Sequence, residues 1–323
     1  MDFVSQQLYF LFLSSAAFFV MSLVHFTHKG DFIMDYLSVL TQMLFAKKLS
    51  PNTIKVYVSY IKSYLAYLER ISLLPEQASY QTMRDFIDFI QSERNLSDRT
   101  INMIISYLQF FQMYVLHTDW DRTQIPFRAF DTYLPYAPSS GEIKRLLIAL
   151  DKPKARLAVS ILYATGLRLD ELCHLRCSDI MHSSMKLYIR HSKNHSDRYI
   201  PLTESIWQMI LQYWYSFPKE LRPREWLFTQ QRRLDRPMDK QWLQKELLLT
   251  RNALSMDPRF SAHSLRHAYA STCYQNGMDL LTLKAYLGHR SINSTCIYVS
   301  LAASYKEGFV NPFDQLDWGN HHA

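Results

Sequence analysis

Residues 164–172 read Ala164-Thr165-Gly166-Leu167-Arg168-Leu169-Asp170-Glu171-Leu172. Seven glycines in 323 residues is a low count, and glycine weakens helix interiors, so a chain this poor in it is expected to be mostly helical. The glycine in this stretch is therefore informative. Arg168 follows it closely and stands three residues before Glu171, a spacing that lets one helical face pair the two charges.

Outward from this stretch the helical pattern continues in both directions. One helical region begins at residue 140 and runs, with a break near Pro153, to about Leu175. From Met185 to Leu202 the period drops to two, with Met185, Leu187 and Ile189, then Arg198, Ile200 and Leu202. That alternation predicts two short strands forming a hairpin around the polar segment His191–Asp197. Helices are expected again over Thr203–Tyr215, Asp239–Leu254, Ser264–Gln275, Leu280–Leu287 and Ile292–Leu301, with Gly277 and Gly288 as terminators. Upstream, Ser50 and Pro51 open a helix whose apolar stripe is Ile54, Val58, Ile61, Leu65 and Leu68. After Pro75, a second stripe runs through Met83, Phe86, Ile87 and Ile90. Ser97 starts a third, with Ile101, Ile104, Leu108, Phe111 and Val115 on its buried face. Pro126, Pro135 and Pro138, with Ser139-Ser140-Gly141, read as a linker. The expected fold is mainly α with a small β-element: a helical domain over 32–125, a linker over 126–139, a second domain over 140–305 and a tail over 306–323.

Three islands in the C-terminal half hold polar residues that a bare helical core does not need. The first is the stretch around Arg168. The second is His263-Ser264-Leu265-Arg266-His267, which puts His263 and Arg266 on one face near a helix start. The third is Leu287-Gly288-His289, with Tyr298 nine residues on. Any one alone reads as a buried ion pair, a core histidine or a packing tyrosine. All three in order, with a basic hairpin between the first and second, point to chemistry.

In that order the motifs resemble the tyrosine recombinase family, also called the phage integrase family. Its pattern is T-G-L-R-x-x-E-L, a hairpin lysine, H-x-L-R-H, then L-G-H with a tyrosine nine residues later. The resemblance covers about residues 34–305, including Leu49-Ser50-Pro51-Asn52-Thr53-Ile54 and Thr100-Ile101-Asn102 in the first domain. It implies an N-terminal helical core-binding domain of SAM-like fold and a C-terminal catalytic domain, together enclosing duplex DNA. Its active site maps onto Arg168, Lys193, His263, Arg266, His289 and Tyr298, with Lys193 placed by Pro201-Leu202 at the close of the second strand. Two departures stand out. The hairpin lysine usually sits among glycines, whereas here the turn is His191-Ser192-Lys193-Asn194-His195-Ser196, and the residue two after the tyrosine is Ser300 rather than histidine. The resemblance further implies a homo-tetramer on two sites in double-stranded DNA. The segment Lys306–Gly319, with Phe309, Phe313 and Trp318, resembles the tail that docks on a neighbouring protomer; folding back on its own chain is the other use of those anchors.

The residue types suit the chemistry. A phenol with a pKa near 10 is a weak nucleophile at neutral pH and must lose its proton as it attacks phosphorus. Arg168 and Arg266 can hold the non-bridging oxygens in fork geometry while staying charged, and His289 can add a hydrogen bond. His263 is the candidate acceptor of the tyrosine proton and Lys193 the donor to the departing 5′ oxygen. The 3′-phosphotyrosyl link that results keeps the bond energy, so rejoining needs no ATP. No cofactor or metal is called for by the motifs. The expected function is that of a site-specific recombinase or integrase. The alternatives are an inactive DNA-binding relative and a type IB topoisomerase-like enzyme.

Charge and composition set bounds on this reading. The formal net charge is +7, with 36 Lys and Arg against 29 Asp and Glu. Residues 31–126 hold nine cations and ten anions, whereas residues 127–323 hold 26 and 18, an excess of eight that suits a polyanionic partner. Four cysteines, Cys173, Cys177, Cys273 and Cys296, make no disulfide framework and fit a reducing, cytoplasmic setting. Cys173, His174, Cys177 and His182 have ligand chemistry, but they share a helical stretch without a second paired knuckle and are expected to pack rather than bind zinc. Residues 1–31 form an apolar extension. Its stretch Leu8–Phe26 is about long enough to span a bilayer, yet only Asp2 and no Lys or Arg precedes it, which is poor for a signal peptide. A start at Met34 or a packed extension is favoured over a membrane anchor.

Overall fold

The structure is a computed structural model that describes residues 29–131, 133–190, 197–230 and 233–303, with backbone alone for 29–34 and 302–303. It divides into two compact units after residue 132, inside the proline-bearing stretch.

In the first unit, α1 (Lys29–Ala46), α2 (Pro51–Arg70), α3 (Tyr80–Arg94) and α4 (Asp98–Tyr114) follow one another, with a 3-10 turn at Pro75–Gln77. Three of these helices start in the same way. Ser50, Ser79 and Ser97 each accept the amide of a threonine three residues on, Thr53, Thr82 and Thr100, which satisfies a free N–H of the first turn. Asn95 ends α3 in the left-handed conformation, φ 47°. The apolar stripes turn inward as the spacing requires: Ile61, Phe86 and Ile101 have no exposed surface. Val58 is only half-buried, whereas Tyr64, outside the expected stripe, is buried and packs on Phe86 with ring centroids 5.0 Å apart.

The second unit opens with α5 (Ser140–Ala149), whose start is a reciprocal box: Ser139 N–H donates to Glu142 and the Glu142 amide to Ser139 Oγ. The central helix is α6 (Pro153–Thr165), buried on nearly all sides and packed against α10 and α8. Next come the short α7 (Leu169–Cys173), a three-stranded antiparallel sheet of β1 (Ile180–Met181), β2 (Lys186–Ile189) and β3 (Arg198–Pro201), then α8 (Glu204–Tyr215) and α9 (Lys240–Ala253). The chain closes with α10 (Ala262–Gln275), α11 (Leu280–Leu287) and α12 (Asn293–Ala303), the last packed on α10 and α11. In the hairpin, Leu187 pairs with Ile200 and Ile189 with Arg198, so these four share the inward face.

Two features depart from the periodicity. The helical run expected to reach Leu175 breaks a second time at Gly166, where φ is +62°. The two-residue β1 adds a third strand too short to show an alternation. Among the described residues no helix is long and apolar enough to cross a membrane. The apolar stretch Leu8–Phe26 and the tail anchors Phe309, Phe313 and Trp318 lie outside the described residues, as does Lys193.

Candidate active site

Two helix ends build the site. α6 stops at Gly166, whose left-handed backbone turns the chain so that Leu167 is buried and Arg168 sits extended, φ −72° and ψ 149°, as the N-cap of α7. Arg168 and Glu171 therefore meet as a cap and not across a helical face: the Arg168 N–H donates to Glu171 Oε2 and its Nη1 to Oε1, both at 2.9 Å. α11 stops in the same way at Gly288, φ +65°, and the reversal presents two carbonyls. Gly288 O accepts Arg168 Nη2 at 3.1 Å, and Leu287 O accepts Arg266 Nη2 at 2.7 Å.

Arg266 lies in the second turn of α10 with 1% of its surface exposed, and its Nη1 donates to Gly166 O at 2.7 Å. Backbone carbonyls at two helix C-termini, which carry partial negative charge, thus hold this guanidinium. His289 follows Gly288 directly; its Nδ1 is 2.9 Å from Thr295 Oγ1, and its ring lies nearly parallel to that of Tyr298 with centroids 6.3 Å apart. Tyr298, on α12, is 2% exposed, and its Oη is 3.2 Å from His267 Nδ1. The His263 ring packs edge-on against His267 at 4.5 Å. An open cleft of about 410 Å³ has Arg168, His263, Leu247, Leu248 and Phe260 among its lining residues. Of the six residues singled out in the sequence, Arg168, Arg266, His289 and Tyr298 meet at the Leu287–His289 reversal, His263 is linked to them through His267, and Lys193 lies outside the described residues.

The family model for the phage integrase family matches residues 139–304, and the model for its N-terminal SAM-like domain matches residues 36–122. The chain belongs to the phage integrase family. It is a tyrosine-type recombinase. The tyrosine recombinase XerA of Pyrococcus furiosus is 28% identical to it over 276 residues, spanning 83% of this chain and 90% of that one. The tyrosine recombinase XerD of Listeria innocua is 28% identical over 285 residues, spanning 83% and 93%. In fold, the chain resembles the XerH site-specific recombinase crystallised in a post-cleavage complex with its palindromic difH substrate. That match has a TM-score of 0.67 and 20% identity over 80% of this chain and 79% of that one.

Burial and crowding by cations set the charge state of this recombinase's site. Burial, then His263 and Arg266, lowers His267 to about 4. Burial, then Arg266, Arg168 and Arg198, lowers His289 to about 4. His263 falls in the same direction through burial and the guanidiniums of Arg266 and Arg168. At neutral pH the imidazoles are therefore neutral and can accept protons. Burial raises the Tyr298 phenol, while Arg266 and Arg168 pull it down. Arg266 itself is lowered to about 10 by burial and by Arg168, and so stays charged at neutral pH.

Two functional contacts escape a reading by motif. His267 closes the H-x-L-R-H run and carries no role in the motif reading, yet it is the imidazole that touches the phenol. Arg198 falls on the apolar side of its strand by periodicity, and the motifs assign it no role. It is 8% exposed and forks both oxygens of Glu171. A charged residue in register with Ile200 and Leu202 was the available signal, since a buried charge needs a partner. The cysteines 173 and 177 pack: the Cys173 thiol is buried and pushed up to about 12 by that burial. Among the described residues no group of three or more His, Cys, Asp and Glu side chains is gathered to hold a metal ion.

Proposed function

We propose that the chain is a site-specific recombinase that cuts and rejoins duplex DNA through Tyr298. The carrying observation is the meeting of Arg168, Arg266, His289 and Tyr298 at one chain reversal, each held by a bond or ring contact from a different element. Arg168, a quarter of whose side chain is exposed on the cleft, and Arg266, buried behind it, grip the non-bridging oxygens of the scissile phosphate. They offset the charge that gathers there in the transition state. The phenol oxygen of Tyr298 attacks phosphorus and the bond to the 5′ oxygen breaks. The phenol proton passes to the imidazole pair, His267 in contact with Oη and His263 next in line towards the cleft. Lys193 protonates the leaving 5′ oxygen. A 5′ hydroxyl of a second strand then attacks the 3′-phosphotyrosyl bond, the steps run in reverse, and no ATP is consumed.

The excess of eight cations over residues 127–323 supplies phosphate contacts, and Lys47, Lys48, Lys55 and Lys62 extend them to the first unit. Assembly is as a homo-tetramer on two DNA sites in the cytoplasm. The test uses a pool of random-sequence duplexes carrying a nick that lets the cleaved end diffuse away. The unaltered chain selects a duplex and becomes covalently attached to it. Tyr298→Phe, which keeps the ring, gives no adduct on a denaturing gel yet binds the selected duplex within about threefold of the parent. An adduct from the Phe variant refutes the assignment.

A further inference from the structure

Arg198 opens β3, on the C-terminal side of the turn to which Lys193 belongs. Its guanidinium is spent on three bonds: Nη1 to Glu171 Oε1 at 3.0 Å, Nη2 to Glu171 Oε2 at 2.7 Å and Nε to Tyr286 O at 2.7 Å. The two carboxylate oxygens it forks are the same two that accept Arg168. Arg168 in turn reaches Gly288 O, and Gly288 lies flat on the Arg198 guanidinium: a Cβ there would stand 2.8 Å from Nη1. The bonds run from Arg198 through Glu171 and Arg168 to Gly288 O, and Arg198 reaches the same helix end directly at Tyr286 O, so one side chain on the sheet ties together the motifs that carry Arg168 and His289.

Stability alone does not account for this. A buried ion pair is often no better for folding than well-packed apolar side chains of the same size. What a forked pair supplies is direction, because the planar guanidinium fixes both carboxylate oxygens and hence the group on their other side. Glu171 serves as the carboxylate these bonds need: burial would raise its pKa, but bonds and charge from Arg198, then Arg168, hold it below the ordinary range. Arg198 is not among the residues lining the cleft, so it acts through Arg168.

We infer that Arg198 is a positioning residue of the strand-transfer reaction, fixing Glu171 and through it the angle at which Arg168 meets a non-bridging oxygen. The inference rests on the function proposed above. Its test is Arg198→Lys, which keeps a charge beside Glu171 but cannot fork it. Single-turnover cleavage is measured on the selected duplex with an ordinary scissile phosphate and with a neutral methylphosphonate there, which makes less demand on a guanidinium. Cleavage of the ordinary duplex falls roughly 10–100-fold, as expected for a misplaced active-site group. Cleavage of the methylphosphonate and affinity for the duplex change less than about threefold, because neither depends on aiming the charge. The paired variant Arg198→Met with Glu171→Gln, which leaves no unpaired buried charge, shows the same preference for the neutral substrate. Equal losses on both substrates, or parental cleavage by Arg198→Lys, overturn the inference while leaving the proposed function standing. No Tyr298 adduct from the unaltered chain overturns both.

Discussion

The two units are built from opposite materials. All nine buried polar or charged side chains among the described residues, Arg198, Arg266 and Asp179 included, belong to the second unit. The first is held by apolar and aromatic packing, with the Tyr64 ring in contact with both Phe86 and Phe111, and its ion pairs stay at the surface, as with Arg128, Asp88 and Asp98. Its one described histidine, His117, is exposed. Burying charge is costly unless each group is paired, and the second unit meets that condition with helix-end carbonyls and one shared carboxylate. The contrast separates a unit organised for holding from a unit organised for chemistry.

The contrast is tested most strongly at Lys193. Lys193→Ala should slow cleavage by roughly 10²–10⁴-fold, because an alkoxide leaves badly without an acid. Sulfur in place of the bridging 5′ oxygen should restore the rate, since a thiolate leaves unaided. The same substrate should do nothing for Arg168→Ala, whose proposed work is on the other oxygens. Failure of sulfur to rescue Lys193→Ala moves the acid elsewhere, with Lys186 the nearest cation on β2. In the first unit the corresponding change is Phe86→Ala, at a ring with no exposed surface packed on Tyr64 and Tyr67. Denaturant unfolding should show a loss of about 3–5 kcal/mol. Single-turnover cleavage by the folded protein on saturating DNA should stay within about threefold, and a much larger drop would mean that the first unit shapes the chemistry.

How legible each unit was follows from the same contrast. The serine starts at Ser50 and Ser97 mark two of the first unit's helices at their first turn, because capping there is local; the helix Lys29–Ala46 and the start at Ser79 carried no such reading. In the second unit the motif residues Arg168, His263, Arg266, His289 and Tyr298 were visible by type and spacing. What spacing could not convey was how they are held. That Arg168 caps α7 depends on Gly166 adopting a left-handed backbone. That Arg198 grips Glu171 depends on a pairing 27 residues apart, between a strand and a helix. The contact between His267 and Tyr298 spans 31 residues and two helices. Such bonds are set by tertiary packing and leave only a weak trace, a charge where the strand pattern asks for an apolar residue.

The smallest expected effect is on stability against pH. His267 and His289 are both lowered to about 4 in the fold from an ordinary 6.5. Between those values the unfolded chain binds more protons than the folded one, so stability is full above pH 6.5 and is lost as the pH falls towards 4. The midpoint of the second unit's melting should drop by roughly 6–12 °C between pH 6.5 and 5. The double variant His267→Gln, His289→Asn should flatten that slope, and an unchanged slope would place the titrating groups elsewhere.

Gly166 and Gly288 have a consequence for engineering. Exchanging glycine for alanine is a standard route to a stiffer, more heat-tolerant protein, since it narrows the unfolded ensemble. Here it would backfire at both positions. The backbone is left-handed at each, a methyl at 166 would overlap the Tyr269 ring, and one at 288 would press on the guanidinium of Arg198. Gly141, in the first turn of α5, has no neighbour closer than 4.0 Å to a new methyl. Thermal hardening of this enzyme therefore has to begin far from its reactive centre, where the chain still has slack to give up.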